Sequence, residues 1–242
     1  MNRPLNLLSI VIPVFNEEEV LPLLLERLAG LVSRMPCQVE CLFINDGSRD
    51  RTIEGLEQAA NEHPWVRVID FSRNFGHQVA ITAGTDFAQG DAVVIMDADL
   101  QDPPEVILEM IAKYQEGYDV VYAIRARRPE PFWKRLAYAC AYRLIQRASE
   151  FTLPRDAGDF AVMSRRVVDI LTAMPERRRY LRGLRAWVGF RQTGLKVDRQ
   201  PRLAGRPKYT LAKLAGLALD GLISFAAPPL RLAGILGALL LL

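Results

Sequence analysis

Leu8 to Val14 reads LSIVIPV, an aliphatic run interrupted only by Ser9 and Pro13 and with no alternation of polar and apolar positions. A strand with one wet face alternates, whereas a nearly continuous apolar run is what a strand covered on both faces requires. Four further runs read the same way: Val39 to Asn45 (VECLFIN), Val66 to Phe71 (VRVIDF), Ala92 to Asp97 (AVVIMD) and Asp119 to Ile124 (DVVYAI). Between them lie segments of helical pattern, Glu18 to Ser33, Asp50 to Glu62, Gln78 to Ala88 and Pro104 to Glu116. Strand and helix in alternation predict right-handed crossovers, a mostly parallel sheet and an α/β class. Such a sheet collects ligands beyond the carboxyl ends of its strands. Polar and turn-forming residues gather there: Asn16 and Glu17, Asp46 to Ser48, Arg73 and Asn74, Asp97 and Asp99.

Several function classes are excluded or weakened at once. No GxGxxG follows a strand and no GxxxxGK[ST] occurs, so dinucleotide oxidoreductases and P-loop NTPases lose their main support. A GxSxG elbow is also absent, which argues against a serine hydrolase. The cysteines, Cys37, Cys41 and Cys140, are odd in number and form no CxxC pair, which fits a reducing cytosol rather than a disulfide framework. With only His63 and His77 present, a metal would be held by oxygen. The 242 residues suffice for one large core, with or without an appendage.

The net charge of +3 conceals a division. Met1 to Val120 carries 8 Lys and Arg against 20 Asp and Glu, net −12, and Val121 to Leu242 carries 23 against 8, net +15. An acidic half suits a cation, and a basic half suits phosphates or anionic lipid. Nucleic acid is not the expected partner, because the basic residues accompany long apolar runs rather than an exposed aromatic platform.

Asp97-Ala98-Asp99 closes the fourth strand, which would aim two carboxylates outward from the sheet edge. With 14 Asp in the chain, about one DxD is expected by chance, so position carries the weight. Two hard oxygen ligands with open coordination suit Mg²⁺ or Mn²⁺ bridging to a diphosphate. Asp102, followed by Pro103 and Pro104, is the expected N-cap of the next helix. Asp46 in the Asn-Asp-Gly-Ser turn either reads a base edge, closes an Asx turn or caps the helix from Asp50.

VIPVFNEEE (Val11 to Glu19), INDGSRDRT (Ile44 to Thr52), SRNFGHQVAITAG (Ser72 to Gly84), DADLQDPPE (Asp97 to Glu105), GDF (Gly158 to Phe160) and GRPKYT (Gly205 to Thr210) together resemble glycosyltransferase family 2. More narrowly they resemble its polyprenyl-phosphate group, the bactoprenol glucosyltransferases and dolichol-phosphate mannose synthases. The resemblance implies a Rossmann-like type A glycosyltransferase fold, a nucleotide-sugar donor, a divalent cation and a lipid-phosphate acceptor. By position it implies that Pro13, Phe15, Glu17, Asp46, Asp97 and Ala98 line the nucleotide-sugar site, with Asp46 on the base. It implies that Asp97, Asp99 and Gln101 hold the metal and diphosphate, and it makes Asp99, Asp159 and Arg125 the catalytic candidates. Arg125, Lys134, Arg135, Arg206 and Lys208 are the candidates for the acceptor phosphate.

The mannose synthases generally have Ser where this chain has Asp159, and the bactoprenol branch has Asp, which points to glucose from UDP-glucose. N-acetylglucosamine, mannose and formamido-arabinose are the alternatives, as is a membrane subunit that binds a nucleotide sugar without turnover. Asp159 either orients the acceptor or sugar, or is a buried acid paired to a neighbouring arginine. The string Leu184-Arg185-Ala186-Trp187 lacks the adjacent Arg-Trp of processive synthases, which argues against polymer synthesis.

A lipid monophosphate has its second pKa near ~6, so its attacking oxygen is already anionic at neutral pH. A single displacement would invert the anomeric carbon, as in the family. Met1 to Leu8 has no signal-peptide pattern, while Leu232 to Leu242 (LAGILGALLLL) is wholly apolar. Eleven helical residues span about 16 Å where a bilayer needs about 20 residues, which suggests a membrane helix cut short. The expected organisation is a cytosolic transferase domain over 1–210, amphipathic interfacial helices over 211–230 and the start of a transmembrane helix over 231–242. The expected location is the cytoplasmic membrane, with the catalytic domain facing the cytosol and self-association possible.

Overall fold

A computed structural model describes residues 3–125, 157–176, 179 and 181–198, which belong to one compact unit. Seven strands form one sheet: β1 (Leu7–Val14), β2 (Gln38–Asn45), β3 (Val66–Asp70), β4 (Ala92–Ile95), β5 (Val120–Arg125), β6 (Ala157–Ser164) and β7 (Gln192–Val197). The described helices are α1 (Leu21–Val32), α2 (Thr52–Glu62), α3 (His77–Phe87), α4 (Val106–Gln115), α5 (Arg165–Ala173) and α6 (Leu181–Trp187). The strand order is β3-β2-β1-β4-β6-β5-β7. Every neighbouring pair is parallel except the two that β6 makes, with β4 and with β5.

The apolar runs behave as their two-sided covering demands. Ile10, Ile12 and Phe43 bury into one layer with Leu24, Leu28 and Leu31 of α1, Leu56 of α2 and Met110 of α4. On the other face α3 lies across β1 and β2, so close that a Cβ on Gly84 would stand 2.2 Å from Val11 Cγ1. The α5 and α6 helices cover β6 beside it. At the amino ends of the strands, Glu40 of β2 is buried and its carboxylate accepts from Ser9 Oγ at 2.5 Å, the Gln89 N–H at 2.8 Å and Arg67 at 2.6 Å. Ser9 Oγ in turn accepts the Gly90 N–H, so this polar cluster is satisfied within the core.

The mostly parallel sheet is as expected; two local expectations need correction, and two strands are added. β4 ends at Ile95 rather than Asp97, and Asp97 to Leu100 form a turn in which Leu100 has φ +55°. Asp102 is not the N-cap of α4: that helix begins at Val106 with Glu105 before it, because the Pro103 and Pro104 carbonyls accept from Val106 and Ile107 in a tighter preceding turn. The sheet also carries a strand run in reverse, β6, and an edge strand, β7, that the alternation did not foretell.

The expected interfacial segment 211–230 and the apolar segment 231–242 lie outside the described residues. Among the described residues, no helix is long and apolar enough to cross a membrane.

Candidate functional site

The carboxyl ends of β1, β2, β3 and β4 share one edge of the sheet, and the reversed direction of β6 brings its amino end to that same edge. In the β4–β6 ladder Ile95 pairs with Ala161, so two residues further along each strand path Asp97 comes level with Asp159. Sequence position separates these two acids widely; strand direction joins them.

Between them stands His77, the first residue of α3. Its Nε2 is 3.5 Å from Asp97 Oδ1 and 3.7 Å from Asp159 Oδ2. Arg182 of α6 closes the other side of Asp159 with a two-pronged contact, Nε to Oδ1 at 2.7 Å and Nη2 to Oδ2 at 2.8 Å. Of the two readings of Asp159, the geometry contains the acid paired to an arginine. The sequence alone gives neither His77 nor Arg182 a role. His77 lies inside the SRNFGHQVAITAG motif, which is its one signal, and Arg182 stands in the arginine-rich stretch Arg177 to Arg185, where nothing sets it apart.

The electrostatics follow from burial and partners. Burial pushes the Asp97 carboxyl above its ordinary range; His77 opposes this, and the charges of Asp159, Asp99 and Asp102 add to it. For His77, burial works against the charged form, but Asp159 and Asp97 outweigh it and raise the imidazole above its ordinary value. Burial would raise Asp159 too, yet His77 and Arg182 prevail and hold it far below the usual carboxylate range.

Asp99 is buried, and its Oδ1 accepts the Gln101 N–H at 3.1 Å, which folds the turn after β4 back on itself. Ala98 between the two acids is buried as well. Among the described residues, no group of three or more His, Cys, Asp or Glu makes a ready-made metal cage. Asp97 and Asp99 offer hard oxygen donors that fit a Mg²⁺-type ion whose remaining ligands come from phosphate and water.

Asp46 takes neither of its expected local roles. Its Oδ1 accepts the Phe75 N–H at 2.7 Å and the Gly76 N–H at 3.2 Å, and its Oδ2 accepts from Asn74 Nδ2 at 2.9 Å. The carboxylate therefore fixes the loop that launches α3, while Asp50 does the work at the start of α2 by accepting from the Thr52 N–H and hydroxyl. Gly47 makes the close approach possible: its φ is +65°, and a Cβ there would lie 2.4 Å from the Arg73 carbonyl carbon. Pro13 sits within β1 opposite Ile44, and Phe15 and Glu17 follow in the β1–α1 turn, where Asn16 has φ +51°. The Glu17 N–H donates to Thr52 Oγ1 and its carbonyl accepts from Val20 and Leu21, so this turn is tied to α2 and to α1.

The backbone of Arg125 ends β5 opposite Val197 of β7. Lys134, Arg135, Arg206 and Lys208 lie outside the described residues. A groove of about 840 Å³ between α1 and α2, walled by Glu18, Glu54 and Glu62 among others, contains none of the strand-end acids.

The sequence pattern of glycosyl transferase family 2 matches residues 9–171. An uncharacterised glycosyltransferase of Bacillus subtilis, YkcC, is 49% identical over 96% of this chain and 72% of its own length. The bactoprenol glucosyl transferase of Shigella phage SfV is 41% identical over 93% of this chain and 73% of its own. Among solved structures, the glucosyl-3-phosphoglycerate synthase of Mycobacterium tuberculosis, solved with Mn²⁺, UDP and glucosyl-3-phosphoglycerate, superposes with a TM-score of 0.62 at 20% identity, covering 90% of this chain and 79% of that one. That likeness is one of fold: a mixed α/β, Rossmann-like type A glycosyltransferase sheet.

Proposed function

This chain belongs to glycosyl transferase family 2, and from that premise we propose that it moves glucose from UDP-glucose to a polyprenyl phosphate at the cytosolic face of the cytoplasmic membrane, with inversion. The carrying observation is the edge where Asp97, Asp99, Asp159 and His77 converge beyond the strand ends. Support for the sugar and acceptor comes from the bactoprenol glucosyl transferase relatives, and support for a divalent cation from the Mn²⁺-bearing structural neighbour.

Asp97 and Asp99, with Gln101 beside them, would hold Mg²⁺ or Mn²⁺, which supplies charge neutralisation to a departing diphosphate. Pro13, Phe15 and Glu17 wall the nucleotide side, and Asp46 builds the loop beneath it. The acceptor phosphate oxygen forms the new bond to the anomeric carbon as the bond from that carbon to the UDP oxygen breaks, and both electrons leave with UDP. No proton need be removed, since the attacking oxygen is anionic above its second pKa of ~6. Arg125, Lys134, Arg135, Arg206 and Lys208 supply the cations that bring two polyanions together.

The test incubates the full chain in membranes with radiolabelled UDP-glucose, polyprenyl phosphate and Mn²⁺, and measures butanol-soluble, mild-acid-labile label. Label should appear, vanish with EDTA, and fall at least roughly 10²-fold in Asp99→Ala, the scale of losing an electrostatic stabiliser. Label from another UDP-sugar alone would refute glucose. Absence of label from every donor would refute transfer to lipid.

A further inference from the structure

We propose that His77 is a positioning residue for the donor end of this site, held by the Asp159–Arg182 pair so that its imidazole orients the Asp97 carboxylate for a divalent cation. The inference rests on the reading above that Asp97 and Asp99 take the cation, and it adds a residue outside the DxD motif on which that binding depends.

The imidazole is fixed at both of its ends. At the backbone, Asp46 accepts the N–H groups of Phe75 and Gly76, so the chain enters α3 along one path and His77 begins the helix at a set place. At the ring, Nε2 lies within ion-pair range of one oxygen of Asp97 and one of Asp159. Asp159 cannot swing aside, because Arg182 engages both of its oxygens and its side chain is only 9% exposed.

Arg182 is in turn placed by two contacts of its helix. The Leu181 N–H donates to Gln78 Oε1 at 3.1 Å, joining the residues next to Arg182 and His77, and Arg185 donates to the Gly158 carbonyl beside Asp159. Helices α3 and α6 are therefore tied by neighbouring bridges that both converge on the Asp97 side of the sheet edge.

What His77 does there follows from its place: its Nε2 stands between Asp97 Oδ1 and Asp159 Oδ2, at 3.5 and 3.7 Å. Without the ring, Asp97 would meet the Asp159 carboxylate directly, and like charges so placed turn apart. With it, one oxygen of Asp97 is held toward Nε2 and the carboxylate presents its other side. Groups that orient a ligand in this way commonly change metal affinity about 10–100-fold when removed.

Two variants of similar size separate positioning from bulk: His77→Leu fills the space without a donor, and His77→Gln keeps an N–H near the place of Nε2 without the charge. Binding of Mn²⁺ in the presence of UDP is read by electron paramagnetic resonance on the full chain, with unfolding midpoints measured in parallel. His77→Leu should weaken Mn²⁺ at least roughly tenfold, the scale on which loss of a group that orients a ligand acts, and His77→Gln, which keeps a polar N–H beside the two acids, should lose clearly less. In turnover, the Leu variant should raise the Mn²⁺ concentration needed for half-maximal rate, with kcat recovering at saturation. Unchanged or tighter Mn²⁺ binding in His77→Leu, or equal losses in both variants, overturns the proposal. Asp97→Asn in the same assay keeps the two readings apart: if it too binds Mn²⁺ like the parent, the cation site itself is misassigned, whereas loss in Asp97→Asn with none in His77→Leu removes only the role of His77.

Discussion

Gly47→Ala tests whether the loop under the nucleotide side depends on the approach between residues 47 and 73. The substitution adds a single methyl, and two costs follow. At φ +65° a non-glycine residue is disfavoured by about 1–2 kcal/mol. The added Cβ would sit 2.4 Å from the Arg73 carbonyl carbon and 2.6 Å from the Asn74 nitrogen, about 1 Å inside ordinary contact, and both are backbone atoms that no rotamer change can move. Overpacking of that kind costs about 1–3 kcal/mol, for a total of about 2–5 kcal/mol. In a domain of this size that is a fall of roughly 4–20 °C in Tm.

Relief requires the 73–76 segment to retreat, which breaks its contacts with the Asp46 carboxylate and displaces His77, so donor KM should rise along with the loss of stability. The control is the same change at Gly30, exposed on α1, where an added Cβ would meet nothing within 4 Å; there Ala should stabilise by up to ~1 kcal/mol through helix propensity. Urea unfolding and donor titration measure both. If Gly47→Ala shifts stability by less than about 0.5 kcal/mol, the size of an ordinary surface change, the argument from this contact is refuted.

Two further outcomes concern ion pairs of opposite environment. For Glu40, burial opposes the charge, but Ser9, the Gln89 N–H and Arg67 outweigh it and hold its pKa below the ordinary 4.5. A lowered folded pKa means that the stability it confers is complete above the unfolded value and drains away as pH falls through the folded one. Glu40→Gln should therefore destabilise strongly at pH 7 and progressively less below pH 4.5, as read by urea unfolding across pH; a pH-independent difference would sink the assignment. By contrast Arg27 and Glu105 pair at 2.5 Å near the surface, the Arg27 side chain 21% and the Glu105 side chain 41% exposed, so Arg27→Ala should cost about 1 kcal/mol or less by the same measurement, and a larger loss would show that the pair is not merely a surface contact.

Most of the sheet was legible because its central strands are covered on both faces, and such strands announce themselves as apolar runs whatever their neighbours. β6 and β7 were not, for two different reasons. β6, AGDFAVMS, follows no helix of the alternating pattern and opens on Gly158 and Asp159, and its direction depends on which strands flank it, which is a property of the whole sheet. β7, QTGLKV, is a half-exposed edge with weak apolar content. The same division holds at the site. Asp97 and Asp99 were visible because they follow a strand, whereas the partnership of His77, Asp159 and Arg182 needed three elements brought together from distant parts of the chain. Asp46 was visible as a turn acid, but its hydrogen-bond partners lie about thirty residues away, beyond the reach of local turn chemistry.

The reversal at β6 also bears on how an anionic donor enters. A wholly parallel neighbour to β4 would have offered its own carboxyl end there; β6 instead offers Gly158 and Asp159, adding an acid to an edge already occupied by Asp97 and Asp99. Repulsion between these carboxylates and a diphosphate is only partly offset by His77 and Arg182. Two sources of positive charge fit the chain: a divalent cation that arrives with the nucleotide, and the basic half after Val120, whose net +15 balances the −12 of the half that builds most of this edge. The two act on different phosphates in the reaction proposed above. In that proposal a cation between the acids would neutralise the leaving diphosphate while arginines and lysines would draw in the acceptor, which would turn the charge division read along the sequence into a division of labour across the transferred sugar.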